Sequence, residues 1–336
     1  MKKQLLVFII AILSLSIIIT ACGNQKPQTS SDNTEESTIV MKLANANPPG
    51  DIKDKTALKF AELVNEKTNG KVKIEVYSGG TLGDWKSTIE GLGLGIVQVV
   101  IEGLGSLDSW APIASLSTAP YMLRDAEHFN KVFNDPVGKE FIAEVENQGH
   151  FKLIGPMYRG ARVVTSTKPF KNVDELKGLK IRVPNTQLMI KIWQALGASP
   201  TPLALTETFT ALQQGTVDAQ ENPIIESYGH GFYDVTKYLI RTNHCLGADI
   251  FIFNDEYFNS LPQEIQNAIE EAANEAATWR NEMAVNTEEE YIKKFEEKGV
   301  TIIEPDLESF QQKLSGFLDD YAPDLVPMAE KIKSIK

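Results

Sequence analysis

Apolar positions along the chain recur with two periods, and their alternation predicts the architecture. Residues 38–44 alternate apolar and polar with a period of two, which predicts a strand. Residues 56–67 carry Leu58, Ala61, Leu63 and Val64 at helical spacing, closed by Asn69-Gly70. A second strand follows at 72–77, a helix at 85–92 and a third strand at 96–101, and then come amphipathic helices at 125–133 and 137–145 and strands at 151–157 and 162–166. Between Gly178 and Glu226 the pattern is densest. A strand at 180–183 leads to a helix at 187–196 and a Gly-Ala-Ser-Pro turn. The next helix is capped at Thr206 and ended by a left-handed Gly215, and a strand covers 216–220. Residues 238–242 and 249–253 read as return strands. One long helical run, 260–298, carries Ile265, Ile269, Ala273, Ala276, Trp279 and Met283 on one stripe, without the leucine heptads of a coiled coil. At 1.5 Å per residue it would span on the order of 50 Å, enough to cross two domains.

Strands alternating with helices imply an α/β fold with a largely parallel sheet and right-handed crossovers. The first 21 residues stand apart from it. Lys2 and Lys3 precede an apolar core from Leu5 to Ile19, which is shorter than the ~20 residues of a spanning helix and fits a cleaved secretory signal. It ends Ile19-Thr20-Ala21-Cys22, similar to the lipobox of bacterial lipoproteins, so Cys22 is the expected lipidated N-terminus. Residues 22–37 hold no large apolar side chain and read as a disordered tether. The remaining ~300 residues suffice for two domains. The other cysteine, Cys245, is expected as a buried structural thiol.

Charge narrows the partners. Without Lys2 and Lys3, the 33 basic residues fall to 31 against 45 acidic ones, a formal −14. That surface argues against nucleic acid and against an anionic membrane face, and it repels anions at long range. An anionic ligand therefore needs locally placed arginines.

Candidate groups sit at strand ends, where open α/β sheets bind ligands. Arg182 ends the 180–183 strand and offers a planar fork for a carboxylate, the alternative being an ion pair with Glu207 or Glu221. Asn222 follows the 216–220 strand, the alternative being an N-cap before Pro223. Glu102 follows the third strand and favours a ligand bearing hydroxyls over a bare dicarboxylate, because facing carboxylates repel. Enzyme signatures are weak. The four histidines lack zinc spacing, the Gly91-Leu-Gly-Leu-Gly95 run precedes a strand instead of following one, and no Gly-x-Ser-x-Gly elbow occurs.

The run GLKIRVPN, then GASPTP, then ETFTALQQGTVDAQENP, resembles the substrate-binding proteins of tripartite ATP-independent periplasmic (TRAP) transporters, of the dicarboxylate and sialic-acid receptor type. The resemblance covers residues 38 to about 330 and includes Leu82-Gly83, Tyr158 to Arg162 and Thr242-Asn243-His244. It implies a two-domain, Venus-flytrap α/β fold, with 38–159 plus 248–287 as domain I, 160–247 plus 288–336 as domain II, hinges near Gly160 and Gly247, and the long helix bridging both. It implies that Arg182 grips a ligand carboxylate, Arg162 assists, Asn222 donates a hydrogen bond, Glu102 meets ligand hydroxyls or braces an arginine, and Trp85 and Leu205 are wall contacts. Arg159 ranks below Arg162, with a surface position as its alternative. Leu205 stands where many members carry Phe, and Trp85 where sialic-acid binders carry an acid, so sialic acid, a hexuronate, another hydroxy acid and a C4-dicarboxylate stay open. The implied function is that of a monomeric, lipid-anchored extracytoplasmic receptor. It needs no cofactor, metal or nucleic acid and passes an organic acid to small and large membrane subunits. A secreted enzyme acting on acidic sugars and a ligand-sensing module for a signalling receptor are the competing readings.

Overall fold

The computed structural model describes residues 38–285 and 287–336. The signal segment 1–21, Cys22 and the tether to residue 37 lie outside the described residues.

The chain opens with β1 (Ile39–Ala44), α1 (Ile52–Lys67), β2 (Val72–Tyr77), α2 (Trp85–Gly93) and β3 (Val99–Gly103), whose strands lie parallel in the order β2-β1-β3. Helix α1 begins four residues before its apolar stripe suggests. Asp51 caps it by accepting a hydrogen bond from the Lys53 amide, and Lys53 and Asp54 in its first turn are buried despite their charge. Strand β3 starts later than expected, because Ile96 lies exposed in the turn that precedes it. Helices α3 (Ala126–Asn134) and α4 (Pro136–Gly149) pack on this half of the sheet, and β4 (Phe151–Ser166) leaves it.

The second half repeats the first. Strands β5 (Lys180–Val183), β6 (Ser199–Pro202) and β7 (Ala219–Pro223) alternate with α5 (Gln187–Ala195) and α6 (Leu205–Gln213) and lie parallel in the order β7-β5-β6. The segment read as a Gly-Ala-Ser-Pro turn thus contains a strand. Its prolines are tolerated because β6 is the outermost strand of the sheet. Helix α6 is entered at Leu205 with Ala204 at the cap position, so Thr206 is not the N-cap, whereas Gly215 does take the left-handed φ of +69°. Asn222 lies inside β7, and Pro223, not Asn222, precedes α7 (Ile224–Gly229).

The α2-to-β3 and α6-to-β7 segments match residue for residue. Trp85 corresponds to Leu205, Gly95 (φ +68°) to Gly215 and Glu102 to Asn222, and the run of buried and exposed positions is the same from Gly91 to Val100 as from Ala211 to Gln220. Two pseudo-equivalent lobes result.

Strands β8 (Tyr238–Ile240) and β9 (Leu246–Asn254) return the chain, followed by α8 (Asp255–Ser260), α9 (Gln263–Val285), α10 (Glu288–Glu297) and β10 (Thr301–Ile303). Strand β4 pairs antiparallel with β9 from Phe151 to Ala161, then with β7 and β8 from Arg162 onward. One 16-residue strand therefore spans what the sequence suggests are two, and it changes partners through irregularities at Gly155 (φ +67°) and Gly160 (φ +84°). The run expected as one bridging helix is two. Helix α10 starts anew after Thr287 with Glu288, Glu289 and Glu290 in its first turn, where acids suit a helix N-terminus, and α9 packs on α1 and β4 while α10 packs on α7.

Candidate functional site

The carboxyl ends of the parallel strands in both lobes meet across one cavity, and Arg182, Arg162, Asn222, Glu102, Trp85 and Leu205 all line it. Trp85 and Leu205 are the first residues of the matched helices α2 and α6. Glu102 and Asn222 occupy matched places on β3 and β7. Ala46 and Pro184, just past β1 and β5, complete the two sides, with Ser106, Thr118 and Thr186 adding hydroxyls.

Arg182 is 2 % exposed, and both its Nε (2.9 Å) and Nη2 (2.7 Å) donate to the Leu203 carbonyl. No carboxylate pairs with it among the described residues, so neither Glu207 nor Glu221 is its partner. Burial pulls its basicity down to about 10, and the Glu221 charge offsets only part of that. Pro184 follows the strand and biases Val183 to extended geometry, which stiffens the mount.

Arg162 is placed differently. Its Nε and Nη2 form a two-pronged pair with Glu221 (2.5 and 2.8 Å), and Nη2 also reaches Glu221 O and Asn222 Oδ1 (2.9 and 3.1 Å). His244 Nε2 lies 3.1 Å from the same Glu221 carboxylate, and Thr242 Oγ1 holds the other ring nitrogen at 2.9 Å. Burial would raise the Glu221 carboxyl, but the Arg162 charge and the His244 contact hold it down at about 2. Asn222 Nδ2 donates to Gln220 Oε1 at 2.8 Å, which fixes the amide with its oxygen toward Arg162.

Arg159 is not on the surface. Its side chain is 9 % exposed, lines the cavity and grips Glu226 through Nε and Nη2 (2.8 and 2.7 Å). Its Nη1 approaches Gly103 so closely that a Cβ there would lie 2.5 Å away. The local Arg-Gly sequence offers no signal for this, since the partner Glu226 lies 67 residues further along the chain.

Behind the cavity lies a buried charge cluster of which the sequence pointed only to Glu102. Lys53 Nζ sits 3.4 Å from Asp249, 3.5 Å from Glu102 and 3.8 Å from Glu226, while Arg280 pairs with Asp249 at 2.5 Å. Burial works against the Lys53 ammonium, but Asp249, Glu102 and Glu226 together raise its basicity. Glu102 itself accepts from the Gly103 amide at 2.8 Å, which aims its carboxylate along the cavity floor.

The arrangement can hold an anion bearing hydroxyls between fixed donors and one fixed acceptor. Among the described residues no group of three or more His, Cys, Asp or Glu could ligate a metal.

Residues 43–324 match the family model described as bacterial extracellular solute-binding protein, family 7. A solute-binding protein of Roseobacter denitrificans is 33% identical over 279 residues, which covers 83% of this chain and 86% of that protein. Its crystal structure, a TRAP periplasmic solute binding protein with bound L-galactonate, superimposes with a TM-score of 0.85, covering 89% of this chain and 99% of that one at 31% identity. The 2,3-diketo-L-gulonate-binding periplasmic protein of Escherichia coli K12 is 30% identical over 282 residues, 83% of this chain and 86% of that protein. A TRAP periplasmic solute binding protein of Xanthobacter autotrophicus with bound β-D-galacturonate has a TM-score of 0.84 at 26% identity, covering 88% of this chain and all of that one, at 100%.

Proposed function

Because this chain belongs to the bacterial extracellular solute-binding proteins of family 7, we propose that it is the extracytoplasmic receptor of a TRAP transporter, that its ligand is a monocarboxylic sugar acid, an aldonate or hexuronate, and that it passes that ligand to membrane subunits. The observation that carries the ligand class is the state of the buried arginines. Among the described residues Arg159, Arg162 and Arg280 each hold a carboxylate of the protein itself, and Arg182 does not. A ligand carboxylate supplies the missing anion, and the guanidinium edge not used on Leu203 receives it. Arg162 then acts mainly through Glu221 and Asn222, as a brace that aims the amide. Glu102, on the opposite wall, accepts from ligand hydroxyls and repels a second carboxylate. Trp85 and Leu205 cover the carbon skeleton.

In this reading the hinge lies where β4 exchanges β9 for β7, between Ala161 and Arg162, close to the expected boundary at 159/160. Cys22 carries the lipid anchor, and the site holds its ligand without transforming it. The polar side chains facing the cavity are three arginines, an amide, the hydroxyls of Ser106, Thr118 and Thr186, and one carboxylate already bonded to a backbone amide, and no hydrogen bond joins one of those hydroxyls to a side-chain base.

A thermal-shift screen tests the proposal. A saturating aldonate or hexuronate at about 100 times its dissociation constant adds about 2.7 kcal/mol of stability, a rise of several degrees. Succinate and malate leave the midpoint in place. A shift with the dicarboxylates alone overturns the ligand class, and turnover of a bound sugar acid overturns the receptor.

A further inference from the structure

We propose that Arg159 is a ligand-contacting specificity residue, and that its Nη1 and the Glu102 carboxylate together take the hydroxyl-bearing end of the ligand, away from the carboxylate held by Arg182. The proposal deepens the sugar-acid reading and rests on it. Arg159 lines the cavity with Glu102 and Gly103. Its Nε and Nη2 are spent on Glu226, at 2.8 and 2.7 Å, and two parallel bonds fix the plane of a guanidinium. Among the described residues Nη1 makes no hydrogen bond, so the prong that lies against Gly103 keeps its N–H groups for the cavity.

Gly103 gives that prong its place. Its φ of −61° and ψ of 129° suit any residue, so the backbone does not call for glycine there. What the missing side chain supplies is room, since a Cβ would lie 2.5 Å from Nη1 and 3.6 Å from Cζ of Arg159. The guanidinium therefore comes down on the end of β3, against the residue next to Glu102. Glu102 Oε1 accepts from the Gly103 amide at 2.8 Å and Oε2 faces Lys53 Nζ at 3.5 Å, which leaves each oxygen a lone pair for a ligand.

Charge decides what this pair takes. Lys53, Arg159 and Arg280 stand against Glu102, Glu226 and Asp249, three cations to three carboxylates, and Asp51 beside Lys53 adds a further acid. No cation is left over at this end for a second ligand carboxylate, whereas Arg182 has only the Leu203 carbonyl. A hydroxyl both donates and accepts, so it gives its proton to Glu102 and receives a bond from Arg159 Nη1 without bringing in charge. Two fixed polar groups also discriminate against a ligand lacking that hydroxyl, because both are then left buried and unpaired. The ligand thus lies with its carboxylate at Arg182 and its chain or ring hydroxyls at Arg159 and Glu102.

Titration calorimetry tests this with whichever of gluconate, galactonate, glucuronate and galacturonate binds the parent chain most tightly, and with glycolate, a two-carbon hydroxy acid that occupies the Arg182 end alone, as a competitor. Gly103→Ala keeps every charge and crowds only the far end of the Arg159 side chain, while Arg159→Lys keeps a cation for Glu226 and loses the third prong. Each single variant is expected to weaken the sugar acid at least tenfold, and the double variant to bind within twofold of Arg159→Lys. Glycolate inhibition and the ligand-free melting temperature of Gly103→Ala should stay at the parent values. Should Gly103→Ala not fold, the same split between sugar acid and glycolate is read on Arg159→Lys. Parental sugar-acid affinity in Gly103→Ala overturns the proposal and leaves the sugar-acid reading standing. Equal loss of glycolate and sugar acid, or additive losses in the double variant, reduces Arg159 to a structural partner of Glu226 and overturns it too. Tighter binding of the corresponding aldarate puts a second carboxylate at Arg159 and overturns the hydroxyl assignment. A parent chain that binds none of the four acids overturns the sugar-acid reading, and this proposal with it.

Discussion

Two buried residues carry opposite electrostatic situations, and each yields a prediction. Arg182 has a carbonyl but no anion, so its function is separable from stability. Arg182→Lys keeps the charge and loses the planar fork. Titration calorimetry should show sugar-acid affinity at least tenfold weaker, about 1.4 kcal/mol or more, with the ligand-free melting temperature nearly unchanged. A large loss of ligand-free stability with intact affinity would contradict that assignment. Asp51 is an acid pushed up to about 6 by burial, with the Glu226 charge adding to the effect and the Lys53 amide and charge opposing it. Asn47 Nδ2 donates to it at 3.0 Å, and Gly229 of the other lobe packs so close that a Cβ there would lie 2.7 Å from Oδ2. An acid whose folded value exceeds its unfolded one is ionised at a cost that is absent below pH 4, grows between about 4 and 6, and is complete above 6. Asp51→Asn retains the helix cap and removes that cost. Urea unfolding should find the variant more stable at pH 7, by up to about 3 kcal/mol, and equal to the parent near pH 4.

At the level of elements, the sequence pattern succeeded wherever one face of a strand or helix is buried and the other wet, as in β1, β2, α2 and α5. It failed where burial or pairing is decided from outside. The prolines and the thin apolar signal of Ser199 to Pro202 hide a strand that exists because β5 offers a free edge. The start of α1 is hidden because Lys53, a residue ordinarily exposed, is drawn inside by three distant carboxylates. Strand β4 depends on its irregularities. A Cβ on Gly155 would sit 2.8 Å from the Ala273 carbonyl of α9 as well as straining its φ, whereas Gly160 has nothing within 4 Å. Gly155→Ala should cost about 2–4 kcal/mol of unfolding free energy and Gly160→Ala only about 1–2, from conformational strain alone. Equal losses in denaturant titrations would show that packing against α9 is not what fixes the bulge.

From residue 38 onward the described residues form a pair of pseudo-equivalent lobes drawn together over the cavity. The Gln187 amide of one donates to Asp108 Oδ2 of the other at 3.0 Å, and the pocket takes Trp85 and Glu102 from the first lobe and Arg182, Leu205 and Asn222 from the second. A ligand that touches both walls favours the closed arrangement by its differential contacts. Solution scattering should therefore give a smaller radius of gyration with a tight sugar acid than without. Superimposable curves would mean that the two lobes do not move about β4.

The sequence alone determined the α/β class, the repeated strand-helix units and the acidic surface that makes local arginines necessary, and it put Arg182 forward as a candidate at a strand end. These depend on periodicity, composition and short motifs, which are local. Only the tertiary structure decided which arginine lacks an anion, because that depends on the neighbours each guanidinium meets: Glu221 for Arg162 and Glu226 for Arg159, both brought from more than fifty residues away, and a mere carbonyl for Arg182. Long-range pairing of buried charges leaves no periodic trace in a sequence, since either partner alone reads as an ordinary surface residue.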